Sequence, residues 1–155
     1  MSIMKLFRTL LLGSLAMASA HLFAANDDIT GKWRSIDDKT GFSKGIVEIS
    51  KDANGIYSGK IIEIIPRPGY TPKATCDKCT GELKDKPILG LQILKDMVRS
   101  EKNDREFAGG TILDPLNGKF YKSKLKLNSA GTRIVMRGYV GVEVLGRSQT
   151  WIRQE

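Results

Sequence analysis

Cys76 and Cys79 stand three residues apart and are the only thiols in the chain. Three chemistries use that spacing. A thioredoxin-type dithiol needs the pair at the N-terminus of a helix that follows a strand. Here Thr80-Gly81 follows, and Pro87 leaves little room for a helix. A zinc site needs two further nitrogen or sulfur ligands, and the single histidine, His21, lies close to the chain start. The reading that remains is a structural disulfide in an oxidising compartment. Closing so short a loop contributes about 2 kcal/mol, enough to stiffen the loop but not to hold the fold. No metal and no cofactor is expected.

Hydrolytic chemistry finds no histidine base for any Ser or Cys nucleophile. The carboxylates Asp37, Asp38, Glu63, Asp114 and Glu143 fall mostly in turn contexts, and Asp114-Pro115 reads as a turn starter. Gly109-Gly110 precedes a strand pattern, so it is not a phosphate-cradling loop. An enzyme is therefore not expected. The residues best placed for recognition lie near the C-terminus, in Arg147-Ser-Gln149-Thr-Trp151-Ile-Arg153. On a strand, alternation leaves two choices. With Trp151 inward, Arg147, Gln149 and Arg153 face inward too. With Trp151 outward, Ser148, Thr150 and Ile152 line the interior. Only the first choice makes a ligand site, with Arg147 anchoring an anionic group, Trp151 packing on an apolar body, and Tyr121 and Gln149 as polar neighbours. An inward guanidinium needs a partner. No internal carboxylate is evident, so Arg147 must reach solvent at a mouth or take its anion from a ligand.

These residues must be positioned by a sheet. Tyr121 to Leu127 and Thr132 to Tyr139 alternate apolar with basic residues around a turn at Asn128 to Gly131. Pairing Leu127 with Thr132 sets Leu125 against Ile134, Ser123 against Met136 and Tyr121 against Gly138 on the inward face. Lys122, Lys124, Lys126, Arg133 and Arg137 then share the outer face. That basic face is either a solvated surface that deters edge pairing or a patch for anionic envelope surfaces. Nucleic acid is a poor partner, because no aromatic residues interleave with these charges.

Further strands are expected over Gly31–Ile36, Lys44–Ser50, Ile56–Ile65, Arg105–Leu113 and Gly146–Arg153, with an irregular excursion from Pro66 to Pro87. Ile88–Val98 fits either period. As a strand it gathers Leu89, Leu91, Ile93 and Met97 on one face, as a helix Ile88, Leu91, Leu94 and Val98; Gly90 and the short length favour the strand. Eight successive antiparallel strands with mostly short turns make an up-and-down barrel, which leaves no open edge. A two-sheet sandwich is the alternative. At eight strands a barrel is just wide enough to be filled by side chains or to hold one small ligand.

Residues 1–20 read as a signal peptide rather than part of the fold. Lys5 and Arg8 precede an apolar run that ends in Ala18-Ser-Ala20, and cleavage after Ala24 or Ala25 is an alternative. Residues 21–155 then form one domain. Removing Lys5 and Arg8 lowers the net charge from +8 to +6, with 23 basic residues against 17 acidic ones. No later segment is apolar enough to span a bilayer as a helix. An exported protein, periplasmic or secreted, is expected.

The run Gly109-Gly110-Thr-Ile-Leu-Asp-Pro-Leu-Asn-Gly118-Lys-Phe-Tyr121, then Arg137-Gly-Tyr139-Val-Gly141 and Leu145-Gly-Arg147-Ser-Gln-Thr-Trp151-Ile-Arg153, resembles the bacterial domain of unknown function 2147 family. Gly31-Lys-Trp33, Cys76-Asp-Lys-Cys79 and Pro87-Ile-Leu-Gly90 fit the same pattern. The resemblance covers nearly all of residues 21–155 and implies an exported bacterial protein with a lipocalin-like barrel; it brings no catalytic residues. Gly31-x-Trp33 on a first strand with Arg153 on the last also resembles the lipocalin pattern in which an Arg packs across a Trp at the closed end. Such a cation–π contact is worth about 0.5–2 kcal/mol. The function expected is binding of a small apolar or amphipathic ligand, such as a fatty acid. The alternative is an envelope interaction protein with a filled barrel and a working basic face.

Overall fold

The computed structural model describes residues 27–155. The expected leader, its alternative cleavage points and His21 lie outside the described residues. The strands are β1 (Gly31–Ile36), β2 (Ser43–Lys51), β3 (Tyr57–Ile64), β4 (Gln92–Arg99), β5 (Glu106–Ala108), β6 (Thr111–Asp114), β7 (Lys119–Leu127), β8 (Arg133–Tyr139) and β9 (Arg147–Gln154). Each pairs antiparallel with its neighbours, and β1 pairs with β9 across Lys32↔Gln154 to Ile36↔Thr150. The sheet is thus closed. It is an eight-stranded up-and-down barrel in which β5 and β6 share one strand position, both pairing with β4 and β7. Closure excludes the two-sheet sandwich.

Three local expectations are corrected. The strand expected over Arg105–Leu113 is broken at Gly109-Gly110, where Gly109 turns to φ 86° and Gly110 approaches the Lys95 carbonyl of β4 too closely for any Cβ. The β7–β8 register is shifted by two residues, pairing Leu127 with Ile134, Leu125 with Met136 and Lys124 with Arg137. The cause is a longer turn: the Asn128 side chain accepts from the Thr132 and Arg133 amides, both at 2.9 Å, and holds Thr132 out of the strand. A two-residue shift preserves parity, so Ser123, Leu125, Leu127, Ile134 and Met136 still face inward and are buried. Third, the segment over 88–98 is a strand only from Gln92 onwards, and Leu89 is exposed, not inward. Alternation fails there because the register against β3 shifts twice, once beside Ile93 and once at Asp96, whose φ is 58°. Leu94 and Met97 are therefore buried together with Ile93.

The core runs through the barrel axis from Trp33, Phe107 and Leu127 towards Ile112 and Met136. Residues 27–30 cross its closed end as a strap. The Asp28 carboxylate accepts from Tyr57 Oη at 3.0 Å and pairs with Arg99 at 3.3 Å and Lys51 at 3.6 Å. Asp27 pairs with Arg105 at 2.7 Å. Burial works to raise the Asp28 pKa, but hydrogen bonds from Thr30 and Tyr57 and the Lys51 charge outweigh it and hold the carboxyl below its ordinary value.

Candidate functional site

Trp33 is fully buried at the closed end, and its Nε1 donates to the Ile29 carbonyl at 2.8 Å. The Arg153 guanidinium lies 4.2 Å from the Trp33 ring centroid. It donates from Nε to the Gly131 carbonyl at 2.6 Å, from Nη1 to Thr30 at 2.9 Å and from Nη2 to Asp28 at 2.6 Å. One side chain therefore ties the strap, β9 and the β7–β8 turn over a buried indole. Burial pulls the Arg153 pKa below its ordinary value, with Asp28 opposing the shift.

The other end is open. The loops after β1, β3, β6 and β8 surround a cavity of about 730 Å3. Val47, Ile61, Ile93, Ile112, Met136 and Trp151 form its apolar depth. Trp151 is 1% exposed and opposite Ile134, so β9 takes the parity that turns Trp151 inward. Gln149 and Arg147 follow at two-residue steps, opposite Met136 and Gly138, and climb towards the mouth by about 7 Å per step. The cavity lining includes Arg147, Gln149, Trp151 and Tyr121, so the structure brings these four sequence candidates together.

Their partners differ from expectation. Arg147 is largely exposed at the mouth and sits 3.5 Å from Asp38 of the β1–β2 loop. That carboxylate is 109 residues away in sequence, and no local pattern announces it. Tyr121 Oη accepts from Asn117 Nδ2 at 3.0 Å, which leaves its own hydroxyl proton free to donate. Trp151 Nε1 and Ser123 Oγ are buried with no hydrogen-bond partner among the described residues. Sequence reading also missed Arg67 and Tyr70 at the mouth. Arg67 lies 4.4 Å over the Tyr70 ring and donates to Thr40 Oγ1 at 3.0 Å.

Cys76 and Cys79 are disulfide-bonded. They are buried within the core cluster. Cys76 Sγ lies 3.3 Å from the Pro115 carbonyl oxygen, a packing contact because an oxidised sulfur carries no hydrogen. Gly118, at φ +72°, lets the β6–β7 turn meet the Lys78 backbone where any Cβ would collide. The disulfide segment is thereby docked against the turn whose Pro115 and Asn117 line the mouth.

The basic face is less free than its composition implies. Lys124 pairs with Glu106 at 3.2 Å and Glu143 at 3.6 Å, and Lys126 reaches Glu106 at 3.8 Å. The Glu106 hydrogen bond chiefly raises the Lys124 pKa. Arg137 donates to the Glu143 and Val144 carbonyls and to Ser148 Oγ, so it holds the β8–β9 loop. Lys122 and Arg133 have no carboxylate partner among the described residues.

No helix among the described residues is long and apolar enough to cross a membrane. No curated protein matches the chain. The solved structure of protein HP1028 from Helicobacter pylori, described as belonging to the lipocalin family, is similar with a TM-score of 0.67. The identity is 22%, over 83% of this chain and 84% of that one, so the likeness is one of fold. The sequence pattern of the family described as "Uncharacterized protein conserved in bacteria (DUF2147)" matches residues 31–153. With that match over most of its length, the chain belongs to the DUF2147 family.

Proposed function

We propose that this barrel is an exported carrier for a small amphipathic molecule of the fatty-acid class, held with its apolar body in the cavity and its anionic group near Arg147. The observation that carries the reading is the cavity itself, about 730 Å3, apolar in depth and bounded by charged side chains at its mouth. Ligand sites commonly fall between about 300 and 1,000 Å3 with this distribution of polarity. The reading contains no chemical step. A filled barrel acting through its basic face has two observations against it: the cavity, and the carboxylates that already engage Lys124 and Lys126.

Magnitudes rank the residues. An exposed charge contact is worth about 0.2–1 kcal/mol, and each buried methylene about 0.8 kcal/mol. A few methylenes in the depth therefore outweigh Arg147, which has Asp38 as a competing partner. In a fluorescent fatty-acid displacement titration, Arg147→Met is expected to weaken binding only about two- to fivefold and to leave the melting temperature nearly unchanged. Ile112→Trp, which fills the depth, is expected to abolish binding in a folded protein. Wild-type affinity in Ile112→Trp would refute the cavity as the site.

A further inference from the structure

Exposed large apolar side chains are not spread evenly over this molecule. The β8–β9 loop alone presents Val140, Val142, Val144 and Leu145, each between 58% and 79% exposed. Phe42, Tyr70 and Leu116 add three more from the other mouth loops. Hairpin loops are ordinarily polar, and a contiguous exposed apolar patch on a soluble protein marks a surface that meets something. This patch encircles the cavity entrance, since Tyr70, Leu116, Val140 and Leu145 also line the cavity.

The charges around it indicate what it meets. Glu143, the one acid on the β8–β9 loop, points back to Lys124 at 3.6 Å. Lys39 and Arg67 line the mouth with no carboxylate partner among the described residues. Arg147 stands largely exposed beside them, 3.5 Å from Asp38. Aliphatic side chains beside the unpaired Lys39 and Arg67, on a chain with 23 basic and 17 acidic residues after Lys5 and Arg8 are set aside, match the cross-section of an anionic lipid surface. There apolar groups enter the acyl boundary and cations meet phosphates. Arg137 keeps the loop in its presented shape through the Glu143 and Val144 carbonyls.

We infer that the open end of the barrel docks on anionic phospholipid membranes through the β8–β9 loop, mouth downwards. An amphipathic molecule could then pass between bilayer and cavity without crossing water. That last consequence rests on the carrier reading; the docking does not.

The test uses the protein as exported by its host, carrying Val144→Trp. Trp33 and Trp151 are buried, so the new emission reports the loop. Vesicles of phosphatidylcholine with phosphatidylglycerol should shift that emission to shorter wavelength, and vesicles of phosphatidylcholine alone should do so several-fold less. In flotation with the mixed vesicles, Val144→Ser with Leu145→Ser should cut the bound fraction at least about fivefold. Val98→Ser with Val135→Ser, exposed aliphatics away from the mouth, should leave it unchanged. An emission shift on concentrating the protein without lipid would instead identify a second copy as the partner and overturn the inference. So would equal shifts with both vesicle types, no shift at all, or equal loss in the two double variants.

Discussion

Arg153 shows how much one side chain can organise. Its five donors meet three carbonyls and its planar face covers Trp33, a combination that lysine cannot reproduce. Replacing it with Met removes a cation–π contact of about 0.5–2 kcal/mol and strips three carbonyls of a charged donor, at about 1 kcal/mol each. Arg153→Met is therefore expected to lower the melting temperature by about 10 °C or more, with Arg153→Lys intermediate. A loss within about 2 °C would show that the closed end does not depend on this residue. Trp33 and Arg153 were legible as a pair only through the resemblance to the lipocalin pattern, in which an Arg of the last strand packs across a first-strand Trp. The Arg147–Asp38 contact was not, because a turn carboxylate among many carries no mark of the loop it will meet.

At the scale of elements, the strands were legible and the segments that close the ends were not. Period-two alternation gave the inward parity of β7 and β8, yet missed their register, because one Asn side chain lengthens the turn, and it read β5 and β6 as one strand. The bulge at Asp96 and the break at Gly110 depend on neighbours across the sheet, which no local pattern encodes. The role of the strap over residues 27–30 depends on Asp28 meeting Lys51, Tyr57 and Arg99. Because the folded Asp28 carboxyl has a lowered pKa, the unfolded chain binds its proton first on acidification. The stabilisation is therefore complete above the unfolded value of about 3.9 and is lost as pH falls through the lower folded value. The melting temperature should fall from about pH 5 to about pH 3, and less steeply in Asp28→Asn. Asp37 and Asp77, also lowered, are present in both proteins, so the difference isolates Asp28. Parallel curves would remove the strap from the acid response.

For the whole molecule, closure of the sheet decides everything else. Eight strand positions give an interior that side chains could have filled. Here the buried aromatics Trp33, Tyr57 and Phe107 fill the strapped end and leave the loop end hollow. The sequence made that division only half visible: it showed an inward apolar face on each strand, but not how far the side chains of opposite strands would meet. The excursion over 65–91, closed on itself by the Cys76–Cys79 bond and packed against the β6–β7 turn at Gly118, then shapes an entrance instead of a lid. The central claim is that this hollow end carries a molecule. Native mass spectrometry of the protein isolated from its own host tests it most directly. The expected spectrum shows one small amphipathic molecule bound per chain, absent from Ile112→Trp prepared in the same way. A bare chain mass in the wild type, with no uptake of an added long-chain fatty acid, would contradict it.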